Sequence, residues 1–233
     1  EIATLVLQLG VPLVLFARVY LPRERTAASW AIDVALAASY LILITLAGLW
    51  LALPRAIVFV LLATLVVAAV AGARRIRAEG SRPKGLLSRG WLILRAVLAV
   101  TCFVASLLAL SGRRRIDAPP IDVQFPLREG AYLVVNGGSH PIVNFHLETL
   151  TGEAARPYRG QSYAVDIVEI GRWGSRLSGL SPDDVREFAI FGDSIYAPCA
   201  GEVVHALDGQ PDQPIPITFE GRHLVRNDRM DRD

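Results

Sequence analysis

Cysteine is scarce in this chain: two among 233 residues, Cys102 inside an apolar run and Cys199 far away in a polar one. That spacing suits neither a metal knuckle, nor a redox pair, nor a disulfide framework. Net charge is scarce as well, at +2. The arginines fall in short loops between apolar runs and never gather on one periodic face, which excludes a nucleic-acid-binding stripe. An initiating methionine is missing: Glu1 leads straight into apolar sequence and the chain closes on NDRMDRD, so a piece of a longer protein is expected. Apolar residues are what the chain has in excess. At 52% they exceed what an ordinary soluble domain carries, unless they are concentrated in membrane spans.

They are concentrated. Four stretches approach the roughly 20 helical residues needed to cross about 30 Å of hydrocarbon. The first is ATLVLQLGVPLVLFARVY, the second runs from Trp30 to Leu53, the third from Ala56 to Gly72 and the fourth from Trp91 to Leu110. Trp30, Trp50 and Trp91 mark span ends, where amphipathic rings favour the headgroup level. Core helices of a globular protein would be shorter and would show polar faces.

Loop charge gives the orientation. Between the third and fourth spans lie Arg74, Arg75, Arg77, Arg82, Lys84 and Arg89, and the first loop adds Arg23 and Arg25 next to Arg18. The opposite turn offers only Arg55. The positive-inside rule puts the Arg-rich loop in the cytoplasm and everything after Leu110 outside, against the pull of Arg113, Arg114 and Arg115. Asp33 and Arg95 fall near span ends, where snorkelling to the interface is expected and a transport pathway is not.

Beyond the spans the period changes. A proline-rich linker, DAPPIDVQFPLREG, cannot continue a helix. AYLVVN, SYAVDIVEI, DSIYAP and GEVVHAL then read as strands, each β-branched or aromatic and bounded by turn residues. Only SPDDVREFAI suits a helical turn, with Ser181 as N-cap and Pro182 at the first position. The expected organisation is multidomain: a helical membrane domain over 1–111, a linker over 112–130 and an all-β domain over 131–233.

Two residues of the polar half carry candidate chemistry. Asp166 interrupts the apolar run YAVDIV, where a carboxylate needs a partner or a metal, because an isolated buried charge is costly. His146 lies on or beside a neighbouring strand. Imidazole nitrogen and carboxylate oxygen are both zinc ligands. A structural role for Asp166, capping a turn or pairing Arg172, stays open on the residues alone.

The blocks GGSHPIVNFH, GQSYAVDIV and FGDSIYAPCAGEVVHALDGQPD occur in the order found in lysostaphin-like (LytM-type) zinc metallopeptidases, and the chain resembles that family over residues 130 to 225. The closer likeness is to the branch whose ligand histidine precedes a Q-x-Y-A-x-D strand. The compact H-x-x-x-D motif would need histidine where Ser162 stands. The resemblance implies a β-domain of the duplicated-hybrid-motif type, zinc held by His146 and Asp166, and cleavage of peptide cross-links in bacterial peptidoglycan. It thereby places the spans in the plasma membrane and the β-domain in the periplasm or outside the cell. It also implies an H-x-H pair that completes the site. No H-x-H occurs: His205 and His223 are single, and His140 is the one local substitute. A membrane-anchored zinc endopeptidase with the second half-site outside this chain is therefore expected, the chain alone being inactive. The alternatives are an inactive LytM-like module that binds the wall or regulates hydrolases, and a multispan transporter or sensor whose outer domain binds a small ligand.

Overall fold

The computed structural model describes residues 2–22, 26–50, 53–79, 86–114, 119, 121–178, 184–204, 206, 208 and 209. Four long apolar helices stand at its N-terminal end. The first, α1, is helical over Ile2–Leu5, widens to a π-helical stretch over Val6–Gly10 and resumes as α-helix over Val11–Tyr20. The widening precedes Pro12, whose ring would press on the carbonyl of Gln8 in a regular helix and which has no N–H to offer it. The others are α2 (Ala27–Ala47), α3 (Ile57–Glu79) and α4 (Leu86–Ser111). All four are long and apolar enough to cross a membrane.

The second and fourth spans begin earlier than expected, at Ala27 and Leu86, and two predicted ends move. The second span stops at Ala47, short of Leu53, because Gly48 turns extended and Trp50 folds back to donate its indole N–H to the Ile44 carbonyl at 2.9 Å. The third continues past Gly72 to Glu79, carrying Arg74, Arg75 and Arg77 on its last turns, where cations suit the helix C-terminus.

The bundle uses two kinds of packing. Phe16 and Val19 of α1, Ala37, Leu41 and Ile44 of α2, and Leu61, Leu65 and Ala68 of α3 form one buried cluster, closed by Trp50 and Leu53 of the connecting segment. Close approach of α1 and α3 depends on Gly72: a Cβ there would run into the Val19 carbonyl oxygen and stand 2.8 Å from the Trp30 indole nitrogen. Helix α4 is absent from that cluster and packs on α2 instead. Its buried residues there are Arg95, Ala99, Ser106 and Ala109, facing Ser29, Asp33, Leu36 and Ser39 of α2. Lipid tails are as apolar as leucine, so helices in a bilayer associate through small-residue contact and polar links.

The strongest polar link corrects an expectation. Asp33 and Arg95 do not snorkel; each is about 5% exposed, and Arg95 Nη1 donates to both carboxylate oxygens of Asp33 at 2.7 and 2.8 Å. Arg95 Nε also bonds the Trp91 carbonyl, and Arg18 Nε of α1 approaches Asp33 at 3.5 Å.

At the opposite end, the α2 C-terminus is capped from outside the helix. Arg55 reaches the Thr45 carbonyl at 3.4 Å and Arg113 the Leu46 carbonyl at 3.1 Å. These carbonyls have no intrahelical donors, and a cation there also complements the helix dipole. Arg113, one of the three arginines that pull against the loop-charge argument, thus has a local partner.

Helix α4 runs directly into the polar half. The Gly112 carbonyl accepts from Ser139 N at 2.8 Å and Ser139 Oγ at 3.2 Å. Gly138, at φ +130°, lies so close that a Cβ would be 2.7 Å from that same carbonyl oxygen, and only glycine serves there. The 112–130 segment was expected as a plain spacer, yet its first residue is a docking point for the NGGSH turn.

Regular β-structure in the polar half is sparse among the described residues. Strand β1 (Tyr132–Asn136) pairs antiparallel with β2 (Asp166–Glu169), Leu133 opposite Val168, with an irregularity between Val134 and Asn136 that sets Asn136 opposite Asp166. Short 3-10 turns cover Phe145–Leu150, Glu153–Gln161 and Val185–Glu187, the last within the expected helical turn but capped by Asp184, while Ser181 and Pro182 lie outside the described residues.

DSIYAP forms no strand. It runs antiparallel beside 124–126, with Tyr196 N bonded to the Pro126 carbonyl and Gln124 N to the Pro198 carbonyl, both at 2.8 Å. Each pair would exchange two bonds in a ladder, but Pro126 and Pro198 have no N–H to return. The described residues of GEVVHAL are likewise not strand, and His205 and His223 lie outside the described residues.

Candidate metal centre

The sheet irregularity builds the site. Asn136 closes β1 and turns its amide inward, 5% exposed, donating Nδ2 to Asp166 Oδ2 at 3.1 Å and accepting Phe145 N at Oδ1 at 2.8 Å. Asn144, 3% exposed, accepts His146 N at Oδ1 at 3.1 Å and donates Nδ2 to the Gly138 and Ala164 carbonyls, each at 3.2 Å. The second amide therefore ties the start of the Phe145–Leu150 turn to the residues leading into β2. Thr149 Oγ1 holds the His146 carbonyl at 2.7 Å and shares a 2.7 Å bond with Ser162 Oγ. Ser162, the position that rules out the compact motif, is buried and serves that structural bond.

These bonds bring the two predicted ligands together. His146 Nε2 and Asp166 Oδ1 lie 3.0 Å apart across the end of the β1–β2 sheet. Asp166 is not a buried carboxylate: its side chain is 52% exposed, while that of His146 is 18% exposed. Its neighbour Val165 is 49% exposed as well, so an apolar stretch in the sequence did not mean burial here. Arg172, the other partner considered for Asp166, stacks its guanidinium over Trp173 instead.

The 3.0 Å separation suits a shared cation as well as a hydrogen bond. Two donors at 2.0 to 2.2 Å from a tetrahedral zinc stand about 3.3 Å apart. The fit is half complete, because no group of three histidine, cysteine, aspartate or glutamate side chains converges among the described residues. His140 does not join the pair. Its Nδ1 accepts Ile142 N at 3.2 Å, and its Cβ abuts the Gly112 backbone.

A second polar group occupies the far end of the same sheet. Tyr132 Oη bonds the Arg128 carbonyl at 2.9 Å and Asp193 Oδ2 at 3.3 Å. Partial desolvation, with the neighbouring Asp193 carboxylate, pushes both Tyr132 and Glu169 above their ordinary values.

Asn136 and Asn144 are the functional positions that reading the sequence missed. Their signal was present: two asparagines flanking GGSHPIV need hydrogen-bond partners if buried. No family model, curated protein or solved structure matches the chain.

Proposed function

We propose that the chain is the membrane anchor and first half-site of a LytM-like zinc metalloendopeptidase acting on peptidoglycan peptide cross-links. The remaining zinc ligand would come from outside these 233 residues. The observation that supports this reading most is the 3.0 Å approach of His146 Nε2 to Asp166 Oδ1, with both residues held by buried amides. Zinc, when bound, supplies Lewis acidity toward a scissile carbonyl. The chain's own contribution is positioning. Asn144 and Thr149 hold the His146 backbone, and Asn136 holds one oxygen of Asp166 and leaves the other facing the imidazole.

Imidazole and carboxylate bind a metal only when deprotonated, so affinity should fall as pH drops. With two ligands the chain should bind zinc or cobalt only weakly in micelles, and that weak binding is expected to be lost on His146→Ala and on Asp166→Ala and retained on His140→Ala. Cobalt absorption reads the ligand set directly. Metal binding unchanged in the first two variants would leave His146 and Asp166 as a plain hydrogen-bonded pair. That outcome favours the second reading, an inactive LytM-like module that binds cell wall or regulates hydrolases, which the lack of a third ligand among the described residues also suits.

The reading requires residues after Gly112 to lie outside a bacterial plasma membrane. Arg74, Arg75 and Arg77 at the end of α3 support that side assignment. A reporter fused after Gly112 is expected to be active only if exported. Activity of a cytoplasmic reporter at that junction would put the substrate out of reach.

A further inference from the structure

The chain has four tryptophans, and their distribution across the bundle is uneven. Trp30 and Trp91 lie at the end that carries the Arg-rich loop, Trp91 being 64% exposed. At the other end the bundle's own tryptophan, Trp50, is 4% exposed and bonded to the Ile44 carbonyl, so its ring is withdrawn from the surface. Membrane proteins carry interfacial aromatic rings at both headgroup layers. The fourth, Trp173, belongs to the polar half and is 77% exposed.

The backbone carries Trp173 to the vacant layer. Gly171 N bonds the Ser175 carbonyl and Gly174 N the Gly171 carbonyl, both at 2.9 Å, closing a tight turn around Arg172 and Trp173. Gly174, at φ +72°, lies against the α2–α3 connection: a Cβ there would stand 3.5 Å from the Pro54 Cβ. Pro54 comes three residues before Ile57, where α3 and its apolar span begin. On the first turn of α3, Phe59 and Val60 are exposed, as side chains turned toward hydrocarbon would be. The turn is thus fixed at the height where hydrocarbon gives way to headgroups. Arg172 sits 5.3 Å over the indole ring, and its cation suits lipid phosphate while the ring suits the apolar side of the interface.

We propose that the Gly171–Ser175 turn is a membrane-surface anchor. Trp173 inserts into the headgroup layer, Arg172 pairs with lipid phosphate, and the polar half is thereby held down against the bilayer at a second point besides Gly112.

The test uses the full chain reconstituted in phosphatidylcholine vesicles whose acyl chains carry bromine either just below the headgroup or near the bilayer centre. Subtracting the emission of Trp173→Phe from that of the unmodified chain isolates Trp173. Its component is expected to lose most of its intensity to the shallow bromines, to lose little to the deep ones, and to resist aqueous iodide. A Trp173 component that ignores both bromolipids and is quenched by iodide would overturn the proposal. The readout involves no zinc and no hydrolysis, so it stands apart from the fate of the metallopeptidase reading.

Discussion

Asp33→Ala is expected to destabilise the helical bundle by about 3 kcal/mol and to loosen α4 selectively. The substitution leaves Arg95, 5% exposed and inside the α2–α4 contact, without the carboxylate that takes two of its bonds. Removing one partner of a buried pair costs more than the pair itself contributes, because the other charge stays desolvated. Other contacts on that face include Leu36, small residues, the 3.4 Å bonds from Arg95 to Ser29 Oγ and the 3.4 Å bond from Ser106 Oγ to the Ser39 carbonyl. Cys102 on α4 gives the readout. In a Cys199→Ser background, its rate of reaction with an apolar thiol reagent in micelles should rise together with the fall in unfolding midpoint. Asp33→Ala/Arg95→Met removes both charges and should recover most of the loss. A double variant no more stable than Asp33→Ala would show that the ion pair is not what holds α4.

The four spans were legible because hydropathy over twenty residues is a local property, and the bilayer imposes one length on each. Their polar partners were not legible. Asp33 and Arg95 are 62 positions apart, and nothing near either one announces the other. Strands β1 and β2 were readable from AYLVVN and SYAVDIVEI, which are rich in β-branched and aromatic residues and bounded by turn residues. DSIYAP looked equally good by composition and failed because Pro126, from a different segment, faces Tyr196 and cannot return its bond. His146 and Asp166 came to notice through resemblance and through an argument about burial. The burial half of that argument did not survive: Asp166 is half exposed, and the amides around it are what is buried. Leu127 and Leu177 are the only buried apolar side chains among the described residues of the polar half, so hydrogen bonds of Asn136, Asn144 and Ser162 carry much of its order.

That dependence makes Asn136 the position where stability and metal binding should fail together. Asn136→Ala strips Phe145 N of its acceptor and Asp166 Oδ2 of its donor, and one buried N–H left unpaired costs about 1 to 3 kcal/mol. Metal affinity should drop by about 10- to 100-fold, the usual effect of removing a group that orients a ligand. Asn136→Asp separates the two losses. It keeps an oxygen for Phe145 N, so the turn into His146 should persist, but it sets a second carboxylate beside Asp166 at the former 3.1 Å contact. The like charges would raise the pKa of one carboxyl and move the pH at which cobalt binds upward, while stability at low pH would stay near that of the unmodified chain. A purely structural Asn136 would predict the reverse: both variants would lose stability in proportion to metal affinity, with no change in the pH profile of cobalt binding. Cobalt titrations across pH, paired with denaturant unfolding of the same samples, tell these outcomes apart. The carboxylate pair would act on the proton that the metal must displace, whereas a packing defect would act on every state of the site alike.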